Sequence, residues 1–298
     1  MKNEMNTDFQ YCKIPYGEDV LAVLGSDGIR EYGADKKGEI SRRQHFHNLM
    51  EIAVCRWGIG EVMIDGRSYP YEQGDIMVIP QNCSHTIVSR KSTKSFWEFL
   101  YIKPSVFLEI CYPEGNRKKE RFLQDVEYRP FVKKREDAAC LIAEIGLIMD
   151  QFRLKEYEYQ NCVKGLLFAV LMEIVKINRK DSEKPEFAEM SNMSGIRILG
   201  MAFEYIEENL EKELSVSEIA KAAYVSETYL RRLFAECCAF SPAQYIKMVR
   251  IDAACKLLKQ GDANINEVAY KVGYSNVSTF INNFKQITGK TPKQWNRK

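Results

Sequence analysis

Two stretches near the C-terminus decide the fold: Val216-Ser-Glu-Ile-Ala-Lys-Ala-Ala-Tyr-Val-Ser226 and Ile265-Asn-Glu-Val-Ala-Tyr-Lys-Val-Gly-Tyr-Ser275. The first runs on to Tyr229-Leu-Arg-Arg-Leu-Phe234, the second to Phe280-Ile-Asn-Asn-Phe284-Lys285. Glu218 and Glu267 are 49 residues apart, as are Ala220 and Ala269. From the second helix onward the offset is 50, at Phe234/Phe284, Pro242/Pro292 and Gln244/Gln294. One residue is therefore inserted in the second turn. A repeat long enough to hold two helices and a turn is a structural unit.

Each copy carries its own folding signals. Ser215-x-x-Glu218 and Asn264-x-x-Glu267 read as capping boxes that start a helix. Ile219, Ala220 and Ala223 recur at helical spacing, as do Val268, Ala269 and Val272. The small Ala lets a second helix approach closely, and Ser226 and Ser275 are placed to cap that helix. Leu230, Leu233 and Phe234 bury one face of it, as do Phe280 and Phe284 in the second copy. The opposite face is polar: Thr228, Arg231 and Arg232 in one copy, Ser278, Asn282 and Lys285 in the other. A short helix with a buried face and a polar, partly basic face suits the major groove of DNA. From Ser226 to the end there are twelve Lys or Arg against five Asp or Glu, whereas the whole chain carries only +2. Positive charge is thus concentrated on the repeat, as a phosphate-binding surface requires.

These residues resemble the AraC/XylS family of bacterial transcription regulators. The matching set is Ile265-x-Glu267-Val-Ala269, Gly273-Tyr274-Ser275, Phe280-x-x-x-Phe284-Lys285, Gly289 and Thr291-Pro292-x-x-Trp295. The resemblance implies two helix-turn-helix units joined by a long helix from about Pro242 to Gln260. It also implies that each second helix reads one of two adjacent major-groove segments. The matching base-contact positions are Thr228, Arg231 and Arg232, then Val277, Ser278 and Asn282, beside Ser226, Ser275 and Lys285. The chain departs from the pattern at Tyr224, where the family often has Gly, at Ala239, and at Asn282, where it usually has Arg.

At 298 residues the chain is long enough for two domains, and 45% hydrophobic with 28% charged residues is a soluble globular composition. Met1-Lys-Asn-Glu-Met5 lacks the apolar core of a signal peptide, and no apolar run is long enough for a membrane span. Nine scattered cysteines with no framework spacing point to a reducing, cytoplasmic setting. Cys237 and Cys238 read as a structural pair rather than a redox switch.

Between about 20 and 103 the pattern is one of short strands and turns: Val20–Leu24, Met50–Trp57, Glu61–Ile64 with a hairpin turn at Asp65-Gly66, Asp75–Ile79 and Phe96–Ile102. That predicts an antiparallel barrel or sandwich. All three histidines of the chain fall here. Gly38, six residues, His45-x-His47, three residues, Glu51, six residues and Gly58 are followed later by Gly74, five residues, Pro80 and His85. This spacing resembles the two signature motifs of the cupin barrel, with Asn82 in place of an expected Gly and Ser89 in place of an expected Asn. By strand parity His45, His47, Glu51, Ala53, Cys55 and Trp57 share one wall, and His85 enters from a neighbouring strand. Three imidazoles and a carboxylate make a divalent-metal site (Zn, Mn, Fe or Ni) one reading. Metal-free groups that hydrogen-bond a sugar or another polar ligand are the other. Trp57, Trp97 and Tyr101 read as aromatic walls of the pocket or as core.

Residues 114–121 read as a charged, solvated loop. Leu141, Ile145, Ile148 and Phe152, then Val163, Leu166, Leu167, Val170, Leu171 and Ile174, recur at helical spacing and predict a helical hairpin. It either packs on the barrel or, as the family resemblance implies, pairs two subunits. The expected organisation is α+β in two domains: a sensor barrel (1–135), the hairpin (136–180), a linker (181–195) and a double helix-turn-helix domain (196–298). The expected function is a ligand-responsive, dimeric regulator that binds promoter DNA and is not an enzyme. A metal-dependent cupin enzyme with an accessory DNA-binding module is the alternative.

Overall fold

The computed structural model describes residues 7–15, 18–24, 44–90, 93–112, 117–182, 195–259 and 264–296. They fall into two compact units, within 6–192 and within 193–298. Gly38 of the first cupin motif and residues 183–194 of the expected linker lie outside the described residues.

The first unit contains β1 (Thr7–Gln10), β2 (Val20–Val23), β3 (Gln44–His47), β4 (Met50–Trp57), β5 (Gly60–Ile64), β6 (Arg67–Tyr71), β7 (Ile76–Ile79), β8 (His85–Ser89), β9 (Phe96–Ile102) and β10 (Phe131–Lys133). They form two five-stranded sheets, ordered β1-β3-β8-β5-β6 and β10-β7-β4-β9-β2. Among the described residues these are two sheets rather than one closed barrel, and β1 pairs with β3 in parallel while the other pairings are antiparallel. The inner core between them includes Ala53, Cys55, Val62, Ile64, Met77, Ile79, Ile87 and Phe99. The Asp65-Gly66 turn joins β5 to β6 with φ of +46° and +79°, the left-handed pair that a two-residue hairpin needs.

The outer face of the second sheet is also covered. In β4, Glu51, Ala53 and Cys55 point one way, and Met50, Ile52 and Val54 point the other, into a second core. That core is completed by α3 (Ala139–Leu154) and α4 (Tyr159–Ser182) through Leu141, Ile145, Ile148, Val163, Leu167, Val170, Leu171 and Ile174. A strand buried on both faces reads as nearly continuous apolar sequence, as Met50–Cys55 does apart from Glu51. One ionic group lies within this packing. Glu98 of β9, 3% exposed, accepts from Arg56 Nε at 2.6 Å and from Arg153 Nη2 of α3 at 2.6 Å.

Of the charged stretch at 114–121, residues 114–116 lie outside the described residues and the rest is not a loop. Arg117–Val126 forms a helix, α2, after α1 (Pro104–Cys111). Val126 is buried and Phe122 and Leu123 pack against the outer core, while Lys118 and Glu120 stay exposed. Lys118, Glu120 and Arg121 belong to the solvent side of an amphipathic helix.

The second unit contains α5 (Gly195–Glu208), α6 (Val216–Ala222), α7 (Glu227–Cys237), α8 (Pro242–Lys259), α9 (Ile265–Lys271), α10 (Val277–Thr288) and α11 (Pro292–Asn296). Phe203 packs edge-on to Phe234 at 5.6 Å, and Phe284 to Phe280 and Trp295 at 5.6 and 5.9 Å. Ser215 and Glu218 close a reciprocal capping box on α6. Asn264 caps α9 through Asn266 N instead, at 3.0 Å. Ser226 caps α7, but Asn276, not Ser275, caps α10. The reason is the position of the inserted residue. The turn bonds Val225 N to Ala220 O and Tyr274 N to Ala269 O, both 2.9 Å, still match at the offset of 49. The caps match at 50, so Ser275 is the extra residue. Two further boxes repeat at 50, Ser241 with Gln244 and Thr291 with Gln294, each before a proline in the first turn.

Gly273 has φ +83°, and a Cβ there would sit 2.1 Å from Leu210 O and 2.7 Å from Arg250 Nη2. Arg250 itself ties α8 to this region by donating to Leu210 O and Lys212 O at 3.1 and 2.6 Å. Tyr224 occupies the equivalent turn at φ +57° but is 80% exposed, so its side chain meets solvent. Gly273→Ala is therefore expected to destabilise this unit by about 3 kcal/mol, from overpacking plus a left-handed non-glycine. Gly289→Ala, at φ +75° with nothing within 4 Å, should cost only about 1 kcal/mol. Chemical denaturation of the two variants measures the difference, and equal losses would contradict it.

Candidate functional site

His45, His47, Glu51 and His85 converge, with ligand atoms all within 4.8 Å of one another. The construction differs from a single wall read by parity. His45 and His47 stand on β3, and His85 is the direct cross-strand partner of His45 on β8, with ring centroids 4.3 Å apart. Glu51 stands on β4 in the opposite sheet. A bend at Asn48-Leu49 carries the chain from one sheet to the other, so the four groups meet across the core.

The hydrogen bonds of the cluster constrain its chemistry. His47 Nδ1 lies 2.6 Å from Leu49 O, and its Nε2 lies 2.8 Å from Glu51 Oε2. His85 Nδ1 lies 3.0 Å from Cys83 O, and its Nε2 lies 3.5 Å from the same carboxylate oxygen without an aligned hydrogen bond. Each ring therefore faces an acceptor on both sides, and a neutral imidazole has one N–H to offer. If the backbone carbonyls take the Nδ1 protons, both Nε2 lone pairs point at Glu51. A cation between them, or a second proton on the rings, relieves that opposition. Burial raises the Glu51 carboxyl, but the facing His85 and His47 outweigh it and hold the group well below the usual carboxylate range. Burial lowers the His85 imidazolium, but Glu51, together with the Cys83 carbonyl and Asp65, outweighs it and raises the group. Three nitrogens and one oxygen fit the donor preference of Zn, Mn, Fe or Ni.

Of the three predicted aromatic walls, Trp57 and Trp97 lie away from the cluster. Trp57 is 57% exposed, because a register irregularity between Cys55 and Trp57 takes it off the inner wall. Trp97 pairs with Cys55, four positions along β4 from Glu51, and packs edge-on to Tyr71 at 4.8 Å in the core. The aromatic ring at the cluster is Tyr101, opposite Glu51 and edge-on to His47 at 5.3 Å. Asn82, in place of the motif's Gly, has φ +56°, a conformation asparagine tolerates better than other side chains. The carbonyls of Leu49 and Cys83 escaped sequence reasoning because backbone acceptors have no side-chain signature.

In the second unit, Ser226, Thr228, Arg231, Arg232, Ser275, Ser278, Asn282 and Lys285 are exposed and Val277 is half-buried. Leu230, Leu233 and Phe234 of α7, and Phe280 and Phe284 of α10, are buried behind them. Glu227 accepts from Arg231 Nε and Nη2 at 2.9 and 2.8 Å, and Arg232 lies over the Tyr229 ring at 4.7 Å. Two helices thus present polar, partly basic faces of the kind that enters a major groove. No described helix is long and apolar enough to cross a membrane.

Residues 31–145 match the family model of the AraC-like ligand binding domain, and residues 219–298 match a helix-turn-helix domain model. An uncharacterized HTH-type transcriptional regulator of Bacillus subtilis, YfiF, is 22% identical over 83% of this chain and 76% of its own length. The HTH-type transcriptional activator RhaR of an Enterobacter species is 21% identical over 88% of this chain and 89% of its own. The bifunctional transcriptional activator/DNA repair enzyme AdaA of Bacillus subtilis is 34% identical over 31% of this chain and 44% of its own. A ligand-binding domain and a helix-turn-helix domain in this order place the chain in the AraC family of transcription regulators.

Proposed function

We propose that the His45, His47, Glu51 and His85 cluster is the sensor site, holding one divalent cation against which a small polar effector, such as a sugar, binds. The observation that carries this reading is the pair of histidines with acceptors on both ring nitrogens. A bound cation would supply positive charge and open coordination positions for an oxygen-rich ligand. The protein would hold it through His45, His47, Glu51 and His85, with the Leu49 and Cys83 carbonyls fixing two ring orientations. Occupancy would bias promoter binding by residues 196–298 in the cytoplasm, with no catalytic step. Metal analysis of the full chain, prepared without a histidine tag, tests this: about one divalent ion per chain is expected. Cation addition to stripped protein should raise its melting temperature by mass action. No ion and no shift with Zn, Mn, Fe or Ni would overturn it.

We further propose that the helical hairpin within 136–180 pairs two subunits, through a face different from the one its periodicity suggested. Leu167 and Leu171 are 1% and 0% exposed against the outer core, so they serve the fold. Leu147 and Leu154, 53% and 65% exposed and seven apart on α3, remain available. Leu147→Glu with Leu154→Glu should yield folded monomers by light scattering, whereas Leu171→Glu should unfold the first unit. A wild type that stays monomeric at high concentration would contradict the pairing.

A further inference from the structure

The helices α7 and α10 carry matching strips of different chemistry. On α7 the strip is Thr228, Arg232 and Glu236; on α10, fifty residues later, it is Ser278, Asn282 and Gln286, and all six are exposed. On α7 the guanidiniums are held outward and oriented. Arg232 lies over the Tyr229 ring, with Nε 3.6 Å from Glu236, and Arg231 is fixed to Glu227. A guanidinium offers only donors, and the base edge with two acceptors to match is guanine, through O6 and N7.

Residues 277–288 contain no arginine. The neighbouring amides of α10 have structural work: Asn276 accepts from Thr279 N at 3.0 Å, and Asn283 donates to Tyr274 Oη at 3.4 Å. Asn282 and Gln286 are exposed one helical turn apart and enter neither of these bonds. A carboxamide presents a donor beside an acceptor, which matches adenine N6 and N7. Val277, at the start of the same helix, offers an apolar surface suited to a thymine methyl group.

We propose that the DNA site is chemically split: the segment under α7 is read as G·C through Arg232, and the segment under α10 as A·T, with Asn282 reading an adenine. This rests on the DNA-binding reading of the second unit. The test is selection from a pool of randomised duplexes by the full chain. Wild type should enrich two segments about one helical turn apart, one fixed at G·C and the other at A·T. Arg232→Ala should relax the first segment alone. Asn282→Ala should relax the second alone, lowering its adenine preference roughly tenfold, and Asn282→Arg should move that position towards guanine. Asn282 is exposed, so unchanged melting temperatures will verify that these variants fold. Selection by Asn282→Ala that keeps the same A·T position would overturn the proposal. So would a uniform loss across all sequences, which marks a phosphate contact. If wild type enriches no sequence at all, the DNA-binding reading itself fails, and that outcome is distinct from both.

Discussion

Glu51→Ala is expected to remove divalent-cation binding from the full chain while leaving the stripped protein folded. Glu51 is the one carboxylate of the cluster, 1% exposed, and it faces two of the three imidazoles. Loss of a residue that merely orients a ligand costs roughly 10–100-fold in metal affinity, so loss of a direct ligand should exceed that. The fold should not suffer in proportion. Taking a carboxylate out of water is itself costly, and without it His47 and His85 can each keep a neutral tautomer bonded to its carbonyl. Titration calorimetry with Zn or Mn, beside thermal melting of the stripped proteins, separates the two effects. Retained affinity in Glu51→Ala would remove the cluster from the sensor site. Unfolding of the stripped variant would make Glu51 a structural group.

The second large effect concerns Glu98. It is nearly fully buried, while its partners Arg56 and Arg153 are a third or more exposed at the side chain. Removing one arginine leaves the other in place, so Arg56→Met or Arg153→Met alone should cost only about 1 kcal/mol, in the range of a partly exposed ion pair. Removing both takes away the two arginine charges that offset a buried carboxylate, and the double variant should lose about 3–5 kcal/mol. Adding Glu98→Leu to that double variant should recover most of the loss, because an apolar residue needs no partner there. Denaturant midpoints of the four proteins measure this. Additive losses without recovery by Glu98→Leu would show that the arginines act through packing alone.

The second unit was largely legible because its signals are local. The repeat, the first capping box and the apolar positions of α6, α7, α9 and α10 are set by spacings within one helix. Ser275 was misplaced as a cap because a one-residue insertion can sit anywhere in a turn without changing the motif around it. In the first unit the residue types of the cluster were legible, but its architecture was not. Parity holds within one strand, and the bend at Asn48-Leu49 changes sheets between His47 and Glu51. Trp57 was misread for a related reason, since a bulge breaks the alternation just before it. Leu167 and Leu171 show a further limit. Helical spacing reports which face is apolar, not whether a sheet or a second subunit covers it.

If the histidine cluster is the sensor that governs DNA binding, the two sites are reciprocally coupled. The most direct measurement is the affinity of the full chain for one selected duplex, at fixed salt, in stripped and cation-loaded forms. The two affinities should differ by roughly 5–150-fold, as coupling of this kind does, and Glu51→Ala should show a single affinity whether or not cation is added. Equal affinities for stripped and loaded wild-type protein, with the cation demonstrably bound, would contradict it.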